Sequence, residues 1–125
     1  MLVSDMAFFH DSYAIIELME GNQFYKPYQD FKIVTSVLNI GEVYAILLRN
    51  EGKNKADEWF ANFNFNLLEI LPEDIIGATY FRYINRKKDI SITDAVGYTL
   101  SLKYKLKFLT GDRHFENLPN VEFVK

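Results

Sequence analysis

Short apolar runs alternate with helix-length segments along this chain, and that alternation constrains its fold more than any other feature. The runs of strand length lie at residues 6–10, 31–36, 66–71, 107–110 and 121–124. Short strands that are apolar throughout are typical of a parallel sheet buried on both faces. Because crossovers between parallel strands are right-handed, the order predicts an α/β fold, a three-layer α/β/α sandwich with a central, mostly parallel sheet.

The segments between these runs have the apolar spacing that is typical of helices. Asp11 or Ser12 is a good N-cap for the first helix, Gly21 ends it, and Pro72 opens the fourth helix. The predicted helices start at residues 11–12, 37, 55, 72 and 91, and they end near residues 20, 50–52, 63, 88 and 105. No internal repeat or linker interrupts this order, so we predict a single domain over residues 1–125.

Composition places the chain among ordinary globular proteins. Its 125 residues are 49% hydrophobic and 25% charged, which suffices for a buried core. The sequence has no cysteine, so neither a disulfide nor a thiolate zinc site is possible. No apolar run approaches the roughly 20 residues that a membrane-spanning helix needs, and the N-terminus lacks a signal-peptide pattern. We therefore expect a soluble, cytoplasmic protein without a membrane partner.

Four acidic residues are expected to meet at one edge of the sheet. Asp11 directly follows the first strand, and Asp112 follows the fourth strand after a Thr-Gly pair. Ligands bind outside the carboxyl ends of parallel strands, so both acids lie at the binding edge. Glu42 interrupts an apolar helix, and Asp94 lies in the first turn of another. Ordinary explanations also exist: a turn for Asp112, the helix dipole for Asp94 and a solvated stripe for Glu42.

Carboxylates that share a cleft need a cation or shared protons to offset their repulsion. Even a water-screened pair about 4 Å apart costs on the order of 1 kcal/mol. Oxygen ligands would dominate a metal site here, because the chain has no cysteine and only two histidines, and this favours Mg²⁺ or Mn²⁺. Such an ion lowers the pKa of a bound water and stabilises charge on a phosphoryl oxygen, as phosphodiester hydrolysis requires.

The segments around these acids resemble the PIN-domain ribonucleases, and in particular the VapC-like toxins of prokaryotic toxin–antitoxin pairs. The matching segments are "FFHDSYAIIEL", "NIGEVYAIL", "ISITDAVGYTLSLKYKLKFLTGD" and "FENLPNVEFV", and together they span nearly the whole chain. The stretch "LTGDRHF" is the most distinctive. The resemblance implies an endoribonuclease that depends on Mg²⁺ or Mn²⁺ and acts on RNA. It also implies a homodimer and inhibition by an antitoxin peptide.

The resemblance also implies roles for individual residues. The catalytic acids would be Asp11, Glu42, Asp94 and Asp112, with Asp112 matching the least uniform of the four, and the metal ligands would be Asp11, Asp94 and Asp112. Ser12 and Thr110 match hydroxyl residues beside the first and fourth acids, and Arg113 adjoins the site, so all three are candidate substrate contacts. His10 departs from the family pattern, which has an apolar residue there. We expect a core histidine whose hydrogen bonds are satisfied, with a substrate or proton-shuttle role as the alternative.

Basic runs and aromatic residues bear on possible partners. The runs at 86–88 and 103–107 could steer RNA, although the net charge of −3 gives no bulk attraction and a solvated helix face is the simpler explanation. Six aromatic residues crowd two short helical segments: Trp59, Phe60, Phe63, Tyr80, Phe81 and Tyr83. Some of them should be core residues, and the rest could line a dimer or antitoxin interface.

Other functions on a related fold fit less well. A haloacid-dehalogenase phosphatase needs a second Asp two residues after the first, but position 13 is Tyr. A response-regulator receiver needs an Asp after the third strand, where "EILPED" offers only an acid that opens a helix. Two alternatives stay open: an RNA-processing PIN nuclease outside a toxin pair, and a catalytically idle PIN fold that serves as a binding module.

Overall fold

The computed structural model describes residues 7–125, and within this range five strands and five α-helices alternate. In chain order they are β1 (Phe8–His10), α1 (Ser12–Met19), β2 (Ile33–Thr35), α2 (Val37–Glu51), α3 (Lys53–Asn62), β3 (Phe65–Leu67), α4 (Pro72–Ile84), α5 (Ile92–Lys103), β4 (Lys107–Thr110) and β5 (Val121–Phe123). Two 3₁₀ helices, Gln23–Tyr28 and Arg113–Phe115, complete the secondary structure. None of the helices in residues 7–125 is long and apolar enough to cross a membrane.

The five strands form one parallel sheet in the order β3-β2-β1-β4-β5. β1 and β4 are neighbours at its centre, and Phe9 pairs with Phe108. Both strands therefore end at the same edge, where Asp11 and Asp112 follow them. The parallel sheet expected from the sequence is confirmed, and the pairing of β1 with β4 places both acids at one part of its edge.

Helices cover both faces of this sheet, because successive strand residues point to opposite sides. On one face, Phe9 of β1 packs in a cluster with Ala78 of α4 and Val96 of α5. On the other, Ile15 of α1 packs in a cluster with Trp59 of α3 and with side chains of β2 and β3. The three-layer α/β/α class predicted from the sequence is confirmed.

Several predicted elements are longer than the observed ones, including the strand expected at 31–36, which is β2, Ile33–Thr35. The strand expected at 66–71 is β3, Phe65–Leu67, because the chain turns at Leu71, whose amide donates to the Asp74 carboxylate as α4 begins. The helix expected to reach residue 88 ends at Ile84, and the Asn85 side chain bonds the Phe81 carbonyl. The basic run at 86–88 therefore lies in a loop and not on a helix. Residue 6 of the first predicted strand lies outside the described residues.

The six aromatic residues divide between core and surface. Trp59 is buried, and Phe63 and Phe81 are partly buried against the two main core clusters. The exposed three are Phe60, Tyr80 and Tyr83. The core alone therefore does not account for all of them.

Candidate active site

An open cavity of about 620 Å³ lies at the edge of the sheet where β1 and β4 end. The acids expected from the sequence all line it: Asp11, Glu42, Asp94 and Asp112. They come from four different segments: the end of β1, helix α2, the first turn of α5 and the residue pair after β4. The parallel topology thus brings together side chains that are up to 101 residues apart in the sequence.

Asp11 is buried at the floor of this cavity. Its Oδ1 accepts a hydrogen bond from the Ala14 amide at 2.9 Å and so caps α1, and its Oδ2 accepts from the Thr110 hydroxyl at 2.5 Å. Burial raises the pKa of Asp11 to about 8, and the charges of Asp94 and Asp112 add to that rise. Both hydrogen bonds favour the charged form but only partly offset the burial.

Asp94 stands in the first turn of α5, where the Ser91 hydroxyl caps the helix by accepting from the Asp94 amide at 3.1 Å. Burial raises the pKa of Asp94 to about 6, with further contributions from the charges of Glu42 and Asp112. Close packing fixes the helix on the sheet: a Cβ at Gly97 would lie 2.7 Å from a ring carbon of Phe9. This glycine therefore lets α5 carry Asp94 close to the end of β1.

Asp112 is held by its own turn. Its Oδ1 accepts from the His114 amide at 2.9 Å and lies 3.0 Å from His114 Nδ1, and its amide donates to the Thr110 hydroxyl at 3.0 Å. The turn is therefore observed, and the same carboxylate also lines the cavity, so the turn does not remove Asp112 from the candidate site.

A buried polar network places α2, and with it Glu42. The Asn39 side chain donates to the Ser12 hydroxyl at 3.1 Å, and the Ser36 hydroxyl donates to Asn39 Oδ1 at 2.7 Å. Asn39 is fully buried and joins α2 to the start of α1, directly after Asp11. This residue was not predicted from the sequence, although a polar side chain inside an apolar helix was a usable signal.

The three candidate substrate contacts have different surroundings. Arg113 is exposed and lines the cavity, as expected of a side chain that meets a substrate. Ser12 also lines the cavity, but it is only 4% exposed and its hydroxyl is engaged by Asn39. Thr110 is fully buried and donates to Asp11, so the structure favours a role in positioning that carboxylate over the expected contact with substrate.

Tyr13 forms part of the cavity wall and was also missed from the sequence. Its ring is 40% exposed and packs over Gly111. A Cβ at position 111 would collide with this ring and would lie 2.5 Å from the Val124 carbonyl oxygen. The glycine before Asp112 is therefore required by close packing, and it leaves an aromatic face beside the acids.

The donor chemistry of the cavity fits a hard divalent cation. All four acids offer oxygen, and their mutual repulsion adds to the burial that raises the pKa values of Asp11 and Asp94, so a cation would relieve that repulsion. Among residues 7–125, however, no three or more histidine or acidic side chains are grouped so that they could hold a metal ion. Asp11 and Asp112 instead each use one carboxylate oxygen to accept from a backbone amide of the helix or turn that they cap. An ion would have to draw the carboxylates together.

His10 is buried in the core, as expected, but within residues 7–125 only one of its two ring nitrogens has the hydrogen bond that was expected. Its Nδ1 accepts from the Val34 amide at 3.3 Å, which links β1 to β2. Its Nε2 has no hydrogen-bond partner among the described residues. Burial lowers the pKa of His10 to about 4, so the imidazole is neutral at physiological pH.

Comparisons with known proteins agree with this architecture. The family model described as "PIN domain" matches residues 8–121. Among solved structures, the toxin VapC20 from Mycobacterium tuberculosis, described as sarcin–ricin loop cleaving, superposes with a TM-score of 0.75 at 15% identity and covers 95% of this chain and 100% of its own. A toxin–antitoxin complex from Klebsiella pneumoniae gives a TM-score of 0.69 at 17% identity, with 93% and 95% covered.

A protein from Pyrobaculum aerophilum superposes with a TM-score of 0.66 at 14% identity, covering 97% of this chain and 89% of its own. No curated protein sequence matches the chain. At these identities the structural likenesses show a shared fold, whereas the family model spans most of the sequence, including all four acids of the cavity. The chain therefore belongs to the PIN domain family.

Proposed function

We propose that this protein is an endoribonuclease that hydrolyses RNA phosphodiester bonds and depends on Mg²⁺ or Mn²⁺. The observation that carries the proposal is the meeting of four carboxylates, from four separate segments, around one open cavity in a PIN domain. RNA as the substrate class is supported by a protein of similar fold that is described as cleaving the sarcin–ricin loop.

In this proposal Asp11, Asp94 and Asp112 hold the ion, and Glu42 completes the acidic cluster. A bound divalent ion supplies a water of lowered pKa and stabilises charge on the phosphoryl group. Thr110 keeps Asp11 oriented through its hydroxyl, and His114 does the same for Asp112 through its amide.

The cavity wall offers groups that would position the substrate. The guanidinium of Arg113 is exposed and could donate to the phosphate, while Ser12 lies deeper and is engaged by Asn39. The Tyr13 ring beside the acids could stack on a base next to the cleaved bond. These two contacts would place a nucleotide over the carboxylates, while the buried residues below stay fixed.

We further propose that the protein is the toxin of a VapBC-type pair and is inhibited by an antitoxin peptide. The active-site cavity continues into a groove between α1 and α2: Ile16 and Ile46 line both the cavity and its neighbour. Met19 and Glu51 line that neighbour and a third cavity beside α3. An apolar floor with acidic rims suits an amphipathic, basic peptide, and one protein of similar fold is a toxin–antitoxin complex.

The expected homodimer and cytoplasmic location belong to the same proposal. An RNA-processing nuclease outside a toxin pair would share the cleavage but would not be inhibited by a protein encoded beside it. A catalytically idle PIN fold would bind RNA or protein without cleaving. Measurements of cleavage and inhibition therefore separate the three functions.

The test is cleavage of an end-labelled, structured RNA by the purified protein. Wild type, Asp11→Asn, Asp94→Asn and Asp112→Asn are compared with Asp30→Asn, which makes the same change at an exposed position outside the cavity. Cleavage is measured with Mg²⁺, with Mn²⁺ and with EDTA, and circular dichroism checks that each variant is folded. Melting with and without the ion reports binding independently of activity.

We expect wild type and Asp30→Asn to cleave with either ion and to stop in EDTA. Asp11→Asn should cost most, on the order of 100-fold or more, because it removes a carboxyl group that can ionise to hold the cation at the cavity floor, while barely changing volume. Asp94→Asn should also lose most of the melting gain that the ion provides. Asp112→Asn should cost less, because its carboxylate is less buried. A folded Asp11→Asn protein that cleaves at the wild-type rate would refute the assignment.

A further inference from the structure

A second groove, basic where the first cavity is acidic, lies at the end of α4. It has a volume of about 360 Å³ and is formed by the last turn of α4 and the loop that leads to α5. Its charged and aromatic lining consists of Arg82, Tyr83, Arg86, Lys88 and Asp89. Three cations therefore face one anion, in a chain whose net charge is −3. The positive charge is local and does not follow from the composition.

Two connections place this groove next to the active-site cavity. The Lys88 ammonium donates to the His114 carbonyl at 3.3 Å, and His114 in turn bonds the Asp112 carboxylate. The loop also runs directly into Ser91, the N-cap of α5, whose first turn carries Asp94. The groove is thus joined to two of the four acids, once through a hydrogen bond and once through the chain itself.

The basic side chains of the groove are held in place with donors to spare. Arg82 Nε donates to the Ile90 carbonyl at 2.9 Å, and Arg86 Nη1 donates to the Tyr83 carbonyl at 2.9 Å. Each guanidinium has five N–H donors, so these bonds leave others for a ligand. The loop is also ordered by its backbone, since the Lys88 amide donates to the Asn85 carbonyl at 2.8 Å.

An aromatic face completes the groove. Tyr83 is 62% exposed, and the Arg86 guanidinium lies over its ring, 4.7 Å from the centroid. Basic side chains interleaved with an exposed aromatic ring suit a single-stranded nucleic acid, because the cations contact phosphates while unpaired bases stack on the ring. A folded acidic protein surface would use the cations but would leave the ring without a stacking partner.

We propose that this basic groove binds the single-stranded RNA segment that flanks the bond placed in the active-site cavity. The inference rests on the proposed function. It explains how a polyanion is held beside four carboxylates that repel it, since the acids alone cannot attract a phosphate backbone. The groove would hold the flanking nucleotides by phosphate contacts and base stacking, and Lys88 would keep the groove aligned with Asp112.

The test is binding of a fluorescein-labelled, mixed-sequence, single-stranded RNA in EDTA, followed by fluorescence anisotropy across a salt series. Arg86→Gln and Tyr83→Leu are the test variants. Lys107→Gln and Phe60→Leu make matched changes at exposed positions, the first at the start of β4, away from the carboxyl edge, and the second on α3. A polyglutamate peptide serves as the acidic-protein probe, and RNA cleavage by each variant is measured with Mg²⁺.

We expect Arg86→Gln and Tyr83→Leu to weaken RNA binding about fivefold or more, whereas both controls bind like wild type. Arg86→Gln should also reduce the slope of log affinity against log salt by about 0.7, the value for one lost phosphate contact on a single strand. In cleavage, both variants should raise KM more than they lower kcat.

Unchanged RNA affinity in both test variants would overturn the groove assignment, and so would a loss confined to polyglutamate, which would indicate an acidic protein partner. The two proposals fail separately. If wild type cleaves RNA and the groove variants bind and cleave like wild type, the nuclease proposal is supported and the groove proposal is refuted. If RNA binding depends on the groove but no ion supports cleavage, the groove proposal is supported and the nuclease proposal is refuted. Failure of wild type to bind RNA would remove the groove, and cleavage would then decide the function alone.

Discussion

Asp11 has two roles that favour different protonation states of its carboxyl group: its hydrogen bonds favour the charged form, and its burial at the cavity favours the neutral form. It caps α1 and accepts from the buried Thr110 hydroxyl, so it ties the end of β1 to the end of β4. It also lines the acidic cavity, and burial raises its pKa to about 8. Near neutral pH the folded protein therefore retains a proton at Asp11 that the unfolded chain has released, and this difference makes stability depend on pH.

The sign of that dependence follows from the proton count. Between the unfolded pKa of 3.8 and the folded pKa of about 8, folded Asp11 binds more protons than unfolded Asp11, so stability falls as pH rises. His10 has the opposite effect, because its pKa is lowered from 6.5 to about 4 and stability falls as pH drops through that window. Among the shifted groups of residues 7–125, Asp11 alone still has an effect between pH 6.5 and 8, since Asp94 titrates near 6.

We therefore predict that the metal-free protein loses stability between pH 6.5 and 8, the window set by His10 and Asp11, and that Asp11→Asn largely removes the loss. The wild-type slope should reach at most about 1.4 kcal/mol per pH unit, the value for one proton. Urea unfolding in EDTA at several pH values measures it. Asp30→Asn should keep the wild-type slope, and an equal slope in Asp11→Asn would show that another group is responsible.

At the level of elements, apolar periodicity predicted every strand and α-helix but not every boundary. α5 and β4 were predictable because cap, apolar spacing and strand length agree in one stretch of sequence. The end of α4 was not, because "NRKK" has helix-forming residues and only the bond from the Asn85 side chain to Phe81 shows where the helix stops. The 3₁₀ helix Gln23–Tyr28 has no apolar repeat and contains Pro27, so periodicity could not indicate it.

Helices α1 and α2 provide the second prediction, which concerns the groove between them. Met19 lines two of the three connected cavities but not the active-site cavity. A cation at position 19 should therefore repel a basic peptide without changing the active site. In the proposed toxin pair, where the antitoxin is a small protein encoded beside the toxin, we predict that Met19→Arg weakens inhibition about tenfold. Inhibition of RNA cleavage is measured relative to each variant's own uninhibited rate.

The matched control for Met19→Arg is Leu102→Arg, which places the same cation at an exposed apolar position of α5, outside the groove between α1 and α2. It should leave inhibition unchanged. Equal inhibition of wild type and Met19→Arg would move the antitoxin away from this groove, and absence of any inhibition by the neighbouring protein would favour an RNA-processing nuclease.

For the whole molecule, topology explains why the acidic residues were predictable while their detailed arrangement was not. A parallel sheet places all its carboxyl strand ends at one edge, so Asp11 and Asp112 had to meet once β1 and β4 were neighbours. Local contacts, such as the bond from the His114 amide to Asp112, decide which carboxylate oxygens accept hydrogen bonds and from which groups. Tyr13 was missed because its place in the cavity wall depends on packing against the distant Gly111. The basic run at 86–88 was noticed, but its assembly with Arg82 and Tyr83 into a groove was not, because that depends on where α4 ends.

The exposed face of α4 leads to the last prediction, which concerns assembly. Ile76, Tyr80 and Ile84 are 70%, 65% and 55% exposed, and their spacing of four residues places them on one side of the helix. Two-fold dimers bury the same surface of both copies, and this apolar face is available for such pairing, so we predict a homodimer by light scattering and a monomer for Tyr80→Glu. Phe60→Glu changes an equally exposed ring on α3 and should stay dimeric. A monomeric wild type at high concentration, or a dimeric Tyr80→Glu, would place the interface elsewhere or remove it.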